Sequence, residues 1–224
     1  MTTFVLIPGA GGRAWSWHRL VAELRSLGHT AIAVELPADD DSAGLVAYAD
    51  AVVRAVDVPG PVTLVAQSMG GLVAPLVCDR LEVEQIVLLN AMTPSPGETG
   101  GDWWVVTGQA AAARAYAEQQ GRDPATLEDP WELYFHDADP ELLAEAKAGP
   151  EVVQSGRPFA DPWPLAAWPD VPTRFLAARD DRLFPLDFQR RIVAERLGLE
   201  VEVAPGGHLN ALTQAAAIAR LLTE

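Results

Sequence analysis

Apolar residues along this chain fall into two patterns. Short apolar and β-branched runs occupy residues 4–7, 30–34, 62–66, 85–89, 173–177 and 200–203. The first four are nearly continuous, the mark of strands buried on both faces of a parallel sheet. Between the runs, apolar positions recur at helical spacing. Residues 15–27 carry Trp17, Leu20, Val21 and Leu24 on one stripe and stop at Gly28, a C-terminal cap. Residues 43–56 follow an Asp39-Asp40-Asp41-Ser42 run suited to capping and to the helix dipole. Further helices are expected over 71–81, 188–197 and 211–222. Strand–helix alternation of this kind predicts an α/β fold with a mostly parallel sheet of about six strands and helices on both faces.

The alternation breaks over residues 91–170. No strand pattern appears there, only Ala-rich helical stretches at 109–119 and 140–147 among Pro, Gly and Trp. The expected organisation is therefore a core of 1–90 and 171–224, with 91–170 inserted as a helical lid before the last two strands. Five of the seven Trp lie in that insertion: Trp103, Trp104, Trp131, Trp163 and Trp168. At 224 residues, 49% hydrophobic and 21% charged, the chain has ample material for one core and does not read as disordered. Net charge is −15, and the insertion's fourteen acidic against four basic residues supply −10 of it. Phosphate backbones need clustered Lys and Arg, so a nucleic-acid partner is not expected. Cys78 is the single cysteine, which removes any intrachain disulfide framework. It sits among Val73, Leu76 and Val77 and reads as a small buried hydrophobe. With no signal-peptide pattern and no apolar run of roughly 18 residues, a cytoplasmic protein without a membrane partner is expected.

The strongest chemical signal is Ala66-Gln67-Ser68-Met69-Gly70-Gly71, between a buried strand and a predicted helix. So sharp a strand–Ser–helix turn needs small residues two places to either side of the Ser, here Ala66 and Gly70. It lifts the hydroxyl above the sheet and places it at backbone N–H groups that favour developing negative charge. A Ser nucleophile needs a base, and the base an orienting acid. Of the four His, His208 alone follows a predicted last strand, in Ala204-Pro205-Gly206-Gly207-His208, at the sheet edge where open α/β folds bind ligands. Asp181, in Arg179-Asp180-Asp181-Arg182-Leu183-Phe184-Pro185, is the expected acid. Asp180 reads as a surface charge and Asp187 as a helix-dipole partner. An oxyanion hole would take one donor from the N–H of Met69. The other would come from the N–H of Ala10, in Pro8-Gly9-Ala10-Gly11-Gly12. That loop lacks both dinucleotide spacing and a Gly-Lys-Ser/Thr, so it does not predict nucleotide binding.

These segments resemble the α/β-hydrolase superfamily, and within it the plant methylesterase and hydroxynitrile lyase group with its bacterial esterase relatives. Glu35-Leu36-Pro37 and Gly207-His208-Leu209 carry the likeness along with the stretches above. The resemblance implies six strands rather than eight. Pro8 stands where the family usually has the His that supports the oxyanion loop. Hydroxynitrile lyases of the group have a Thr at the position of Gly9 and a Lys at that of Leu209, so cyanohydrin cleavage is not implied. Dehalogenases of the superfamily use an Asp where this chain has Ser68.

The resulting expectation is a serine hydrolase that needs no cofactor. It would cleave small to medium, neutral, apolar carboxylic esters through Ser68, His208 and Asp181, as a monomer or homodimer. A non-hydrolytic small-molecule receptor and a biosynthetic lyase or cyclase on the same fold are the alternatives.

Overall fold

The computed structural model describes residues 1–224. Six strands, β1 (Thr3–Ile7), β2 (Thr30–Ala33), β3 (Val62–Gln67), β4 (Val83–Leu89), β5 (Thr173–Ala178) and β6 (Glu202–Ala204), form one sheet in the order β2-β1-β3-β4-β5-β6. Every neighbouring pair is parallel. The two-faced burial expected from the continuous apolar runs is borne out. Val5, Ile7, Leu64, Ala66, Ile86, Leu88, Phe175 and Ala177 point into one core, while Phe4, Leu6, Val65, Val87, Leu89 and Leu176 point into the other. Alternate residues along each strand thus need apolar partners on opposite faces.

The second core is closed by α1 (His18–Ser26), α9 (Asn210–Thr213) and α10 (Ala215–Thr223), which contribute Leu20, Leu24, Ala211, Ile218 and Leu222. The first is closed by α2 (Leu45–Ala55) and α8 (Leu186–Leu197). Between β4 and β5 run α3 (Gly100–Val106), α4 (Gln109–Gln119), α5 (Pro130–Tyr134), α6 (Pro140–Ala148) and α7 (Arg157–Ala160), with only an isolated bridge from Thr99 to Pro162. Trp103 and Trp163 of this segment are buried in the same core as Leu72, Phe184 and Phe188. Arg196 on α8 clamps its start, with Nη2 2.9 Å from Glu98 Oε1 and Nη1 donating to Thr93 O at 3.1 Å.

Two expected helices differ. Residues 71–81 do not form an α-helix. Two 3₁₀ turns, Ser68–Leu72 and Ala74–Val77, take their place. Pro75 lacks an N–H, and Gly70 and Gly71 in succession disfavour a regular helix. The expected 211–222 helix is broken at Gln214, whose φ of −127° lies outside helical space. No helix is long and apolar enough to cross a membrane.

The register decides where the chemistry lies. Ile7 pairs with Ala66, Gln67 with Leu89, and Ala178 with Ala204. The residues that follow each strand therefore leave from one edge: Pro8, Ser68, Asn90, Arg179 and Pro205. That is the carboxyl edge of the sheet.

Candidate active site

Ser68 follows the last residue of β3 with φ +52°, a left-handed conformation costing a non-glycine residue about 1–3 kcal/mol. Three glycines make room for this bend. A Cβ on Gly9 would lie 2.8 Å from Ser68 Cβ, one on Gly70 2.8 Å from Ile7 O, and one on Gly71 2.1 Å from Met92 O. The bend is tied down by Met92 N–H donating to Ser68 O at 2.9 Å. Ala66, fully buried, fills the other small position.

His208 and Asp181 are both nearly inaccessible, at 2% and 0%. His208 Nδ1 lies 2.8 Å from Asp181 Oδ2. Asp181 Oδ1 accepts N–H bonds from Leu183 at 2.8 Å and Phe184 at 2.9 Å. With Oδ1 taken up by these two N–H groups, Oδ2 faces the ring and orients the imidazole with Nδ1 as the donor. Asp180, by contrast, pairs with exposed Arg179. No other His ring bonds Asp181. His18 stands at the start of α1, and His29 accepts from Thr2 N–H through Nδ1 at 3.2 Å.

The backbone of His208 is anchored beside Ser68. Gln67, the residue before Ser68, donates through Nε2 to His208 O at 2.6 Å, and Asn90 Nδ2 donates to the same oxygen at 3.0 Å. Asn90 itself has φ +50°, accepts from Ala178 N–H at 2.6 Å and donates to Asn210 Oδ1 at 3.1 Å. These three buried amides join the ends of β3, β4 and β5 to the His208 loop. Sequence reasoning missed all three. A strand-ending Asn at a bend was the available signal, since Asn tolerates left-handed backbone better than most residues. The hydrogen bonds of His208 run to Asp181, Gln67 and Asn90, and none runs to Ser68 Oγ. Such contacts are often long before substrate closes them.

Of the two expected oxyanion donors, Met69 follows Ser68 and Ala10 follows Gly9, whose Cβ would lie 2.8 Å from Ser68 Cβ. Met69 is the second residue of a 3₁₀ turn, so its N–H is one the turn's own bonds leave free. Ala10 is exposed and its N–H makes no bond within the protein. The neighbouring Gly11 N–H donates to Gln154 Oε1 at 2.8 Å, and Gln154 Nε2 donates in turn to Tyr48 Oη at 3.0 Å. Gln154, from the segment between β4 and β5, thus supports the loop that follows β1.

The same segment and the Asp181 loop wall the site. Phe184 meets the His208 ring edge-on at 5.1 Å, Tyr134 lies 5.7 Å from it, and Trp104 packs 5.5 Å from Phe184. Burial, then the Asp181 charge, pushes the Tyr134 phenol above its ordinary pKa. Burial also pushes His136 below its ordinary value, aided by Arg182 and opposed by Asp137, Asp181 and Asp180. The depressed value in the fold means that the unfolded chain takes up the proton first. The stability held by neutral His136 is therefore present above about pH 6.5 and is lost as pH falls towards the folded value. His136→Gln is expected to flatten the fall of unfolding free energy below pH 6.5. The change in slope is at most about 1.4 kcal/mol per pH unit, less where solvent screens the ring. Denaturant unfolding of both proteins from pH 7.5 to 5 measures it, and parallel curves would contradict it. Cys78 is half-buried rather than fully buried, and burial and the nearby Asp79 push its thiol up to about 11.

A family model described as the Alpha/beta hydrolase family matches residues 4–221. Among curated proteins, the probable esterase PIR7A of Oryza sativa subsp. indica is 36% identical, covering 44% of this chain and 42% of that protein. The chain thus spans less than half the length of the curated relatives it matches. A pyrethroid hydrolase from Sphingobium faniae JZ-2 superposes with a TM-score of 0.77 at 22% identity, covering 99% of this chain and 96% of that one. An extracellular alpha/beta-hydrolase from a Paenibacillus species gives 0.75 at 20% identity, covering 100% and 98%. At such identities the structural likeness speaks for the fold. With the family model matched from residue 4 to residue 221 and the six-stranded parallel sheet in place, the chain belongs to the alpha/beta hydrolase family.

Proposed function

We propose that this protein is a serine hydrolase of carboxylic esters. The observation that carries the proposal is the placing of three groups at one sheet edge: a strained, partly accessible Ser68 and the buried His208–Asp181 pair, 2.8 Å apart. Ser68 Oγ attacks the acyl carbon as His208 Nε2 takes its proton. Asp181 holds the Nδ1–H and stabilises the imidazolium. The N–H groups of Ala10 and Met69 receive the carbonyl oxygen as it becomes an anion, each such donor being worth about 10²–10³ in rate. The tetrahedral adduct collapses, the bond to the alkoxy group breaks, and His208 returns the proton to the departing alcohol. Water, deprotonated by His208, then attacks the acyl-enzyme and releases the acid and free Ser68. The balance is ester plus water to acid plus alcohol.

The organisation we propose is a hydrolase core of 1–90 and 171–224 under a helical lid of 91–170. Phe184, Tyr134 and Trp104 supply an apolar wall beside the base. The lid's net −10 charge disfavours polyanionic substrates. Neutral esters of small to medium size follow. The rice relative's printed name, a probable esterase, is in keeping with this. The test is release of p-nitrophenolate from a series of neutral acyl esters of rising chain length, beside an ester bearing a carboxylate on its acyl chain. Turnover of the neutral series with poor use of the anionic ester is expected. A purified protein that hydrolyses none of them above the spontaneous rate overturns the proposal.

A further inference from the structure

The loop that carries His208 receives a contact that neither the Ser68 turn nor the Asp181 pairing explains. Asp137 lies between α5 and α6, far from the loop in sequence. Its Oδ2 accepts from Gly207 N–H at 2.9 Å and from Thr213 Oγ1 at 2.7 Å. It is the only side-chain acceptor for a backbone N–H between Pro205 and Leu209. Asp137 and His136 crowd the two glycines before His208, with Gln214 Cγ 2.6 Å from a Cβ at Gly206 as well. A Cβ on Gly206 would sit 2.9 Å from Asp137 Oδ2, and one on Gly207 2.5 Å from His136 Nε2 and 3.1 Å from Asp137 Oδ1. Any side chain at either position would push the His136–Asp137 pair away.

The arrangement also has a cost. Asp137 Oδ1 and His136 Nε2 are buried and lack partners. A polar group kept in so poor a setting needs a compensating role. The contacts around His208 show which freedom is left for it to restrict. Asp181 fixes the ring through Nδ1, and Gln67 and Asn90 fix the carbonyl. Asn210 N–H holds the carbonyl of the Gly207–His208 peptide at 3.2 Å and Asp180 N–H holds Gly206 O at 3.0 Å, so the N–H of the Gly206–Gly207 peptide is what remains for a side chain to fix. Asp137 accepts from that N–H, and so fixes the path by which the loop enters His208.

We infer that Asp137 is a positioning residue for His208. The inserted segment supplies it, so the segment sets the aim of the base as well as walling the site. This rests on the reading of His208 as the base. Misplacement of a reacting group by about 1 Å costs on the order of 10²-fold in rate. In the full chain, Asp137→Ala is expected to lower kcat about 10- to 100-fold while KM stays within about twofold. Asp137→Asn, whose amide oxygen still accepts from Gly207 N–H, is expected to recover kcat to within about threefold. Should Asp137→Ala fail to fold, Gly207→Ala attacks the same contact from the other side, and the same loss of kcat at constant KM is expected. A kcat within twofold of wild type in whichever of these variants folds overturns the inference. So does an Asp137→Asn as impaired as Asp137→Ala. Ser68→Ala in the same assay separates the two levels. If it remains active, the reading of the site fails. If it is inactive while Asp137→Ala is unimpaired, only the positioning role fails.

Discussion

Ser68→Ala, His208→Ala and the double variant are expected to lose the same factor in kcat, on the order of 10⁶, and not the product of two losses. The reason is that nucleophile and base form one route. Without Ser68 no oxygen attacks, whatever His208 does. Without His208 the Ser68 hydroxyl keeps its proton and is a poor nucleophile at neutral pH. What remains in all three variants is the contribution of bound substrate and of the Ala10 and Met69 N–H groups, roughly 10³–10⁴ over water. Both residues leave their surroundings in place when truncated. The Ser68 turn is held by backbone bonds and by the glycines packed around it, and the His208 loop by Gln67 and Asn90 acting on its carbonyl. Steady-state kinetics on one p-nitrophenyl ester, with thermal melts to confirm folding, measure the effect. Additive losses would mean that the two side chains act independently.

The second large effect is expected at Asp181. Asp181→Asn is expected to lower kcat about 10⁴-fold with the fold retained. Oδ1 of Asp181 accepts from two backbone N–H groups, so in the variant the amide oxygen must occupy that place. The NH₂ then faces His208 Nδ1 and can only donate. Nδ1 must become the acceptor, the proton moves to Nε2, and Nε2 no longer accepts from Ser68. The loss is one of tautomer, not of position, and KM should change little. Asp180→Asn, one residue away on an exposed pair with Arg179, is expected to keep kcat within about twofold. Reversed effects would exchange the roles of the two aspartates.

Much of this was legible along the chain, for identifiable reasons. Parallel strands buried on both faces leave continuous apolar runs, and β1, β3 and β4 read directly from theirs. A sharp Ser turn needs small residues at fixed offsets, so Ala66, Gly70 and Gly71 marked Ser68. The helix expected after it was misread because its apolar spacing outweighed Pro75 and the paired glycines. The groups that hold the loops in place were not legible. Gln154 meets Gly11 across 143 positions, and Gln67 meets the backbone of His208 across 141. Nothing local distinguishes such amides from surface ones. Asp137 was hidden in the same way, as one of fourteen acidic residues in the insertion. The glycines at 206 and 207 were visible, but the side chains that need the space they leave come from another part of the chain.

Intact-mass analysis reads out directly whether Ser68 is the nucleophile. The protein is incubated with a fluorophosphonate, its mass measured, and the modified peptide sequenced. One adduct per chain is expected, on Ser68, with simultaneous loss of ester turnover and a much slower reaction in His208→Ala. Turnover that persists with Ser68 fully modified, or an adduct on another residue that abolishes it, would rule out Ser68 as the nucleophile.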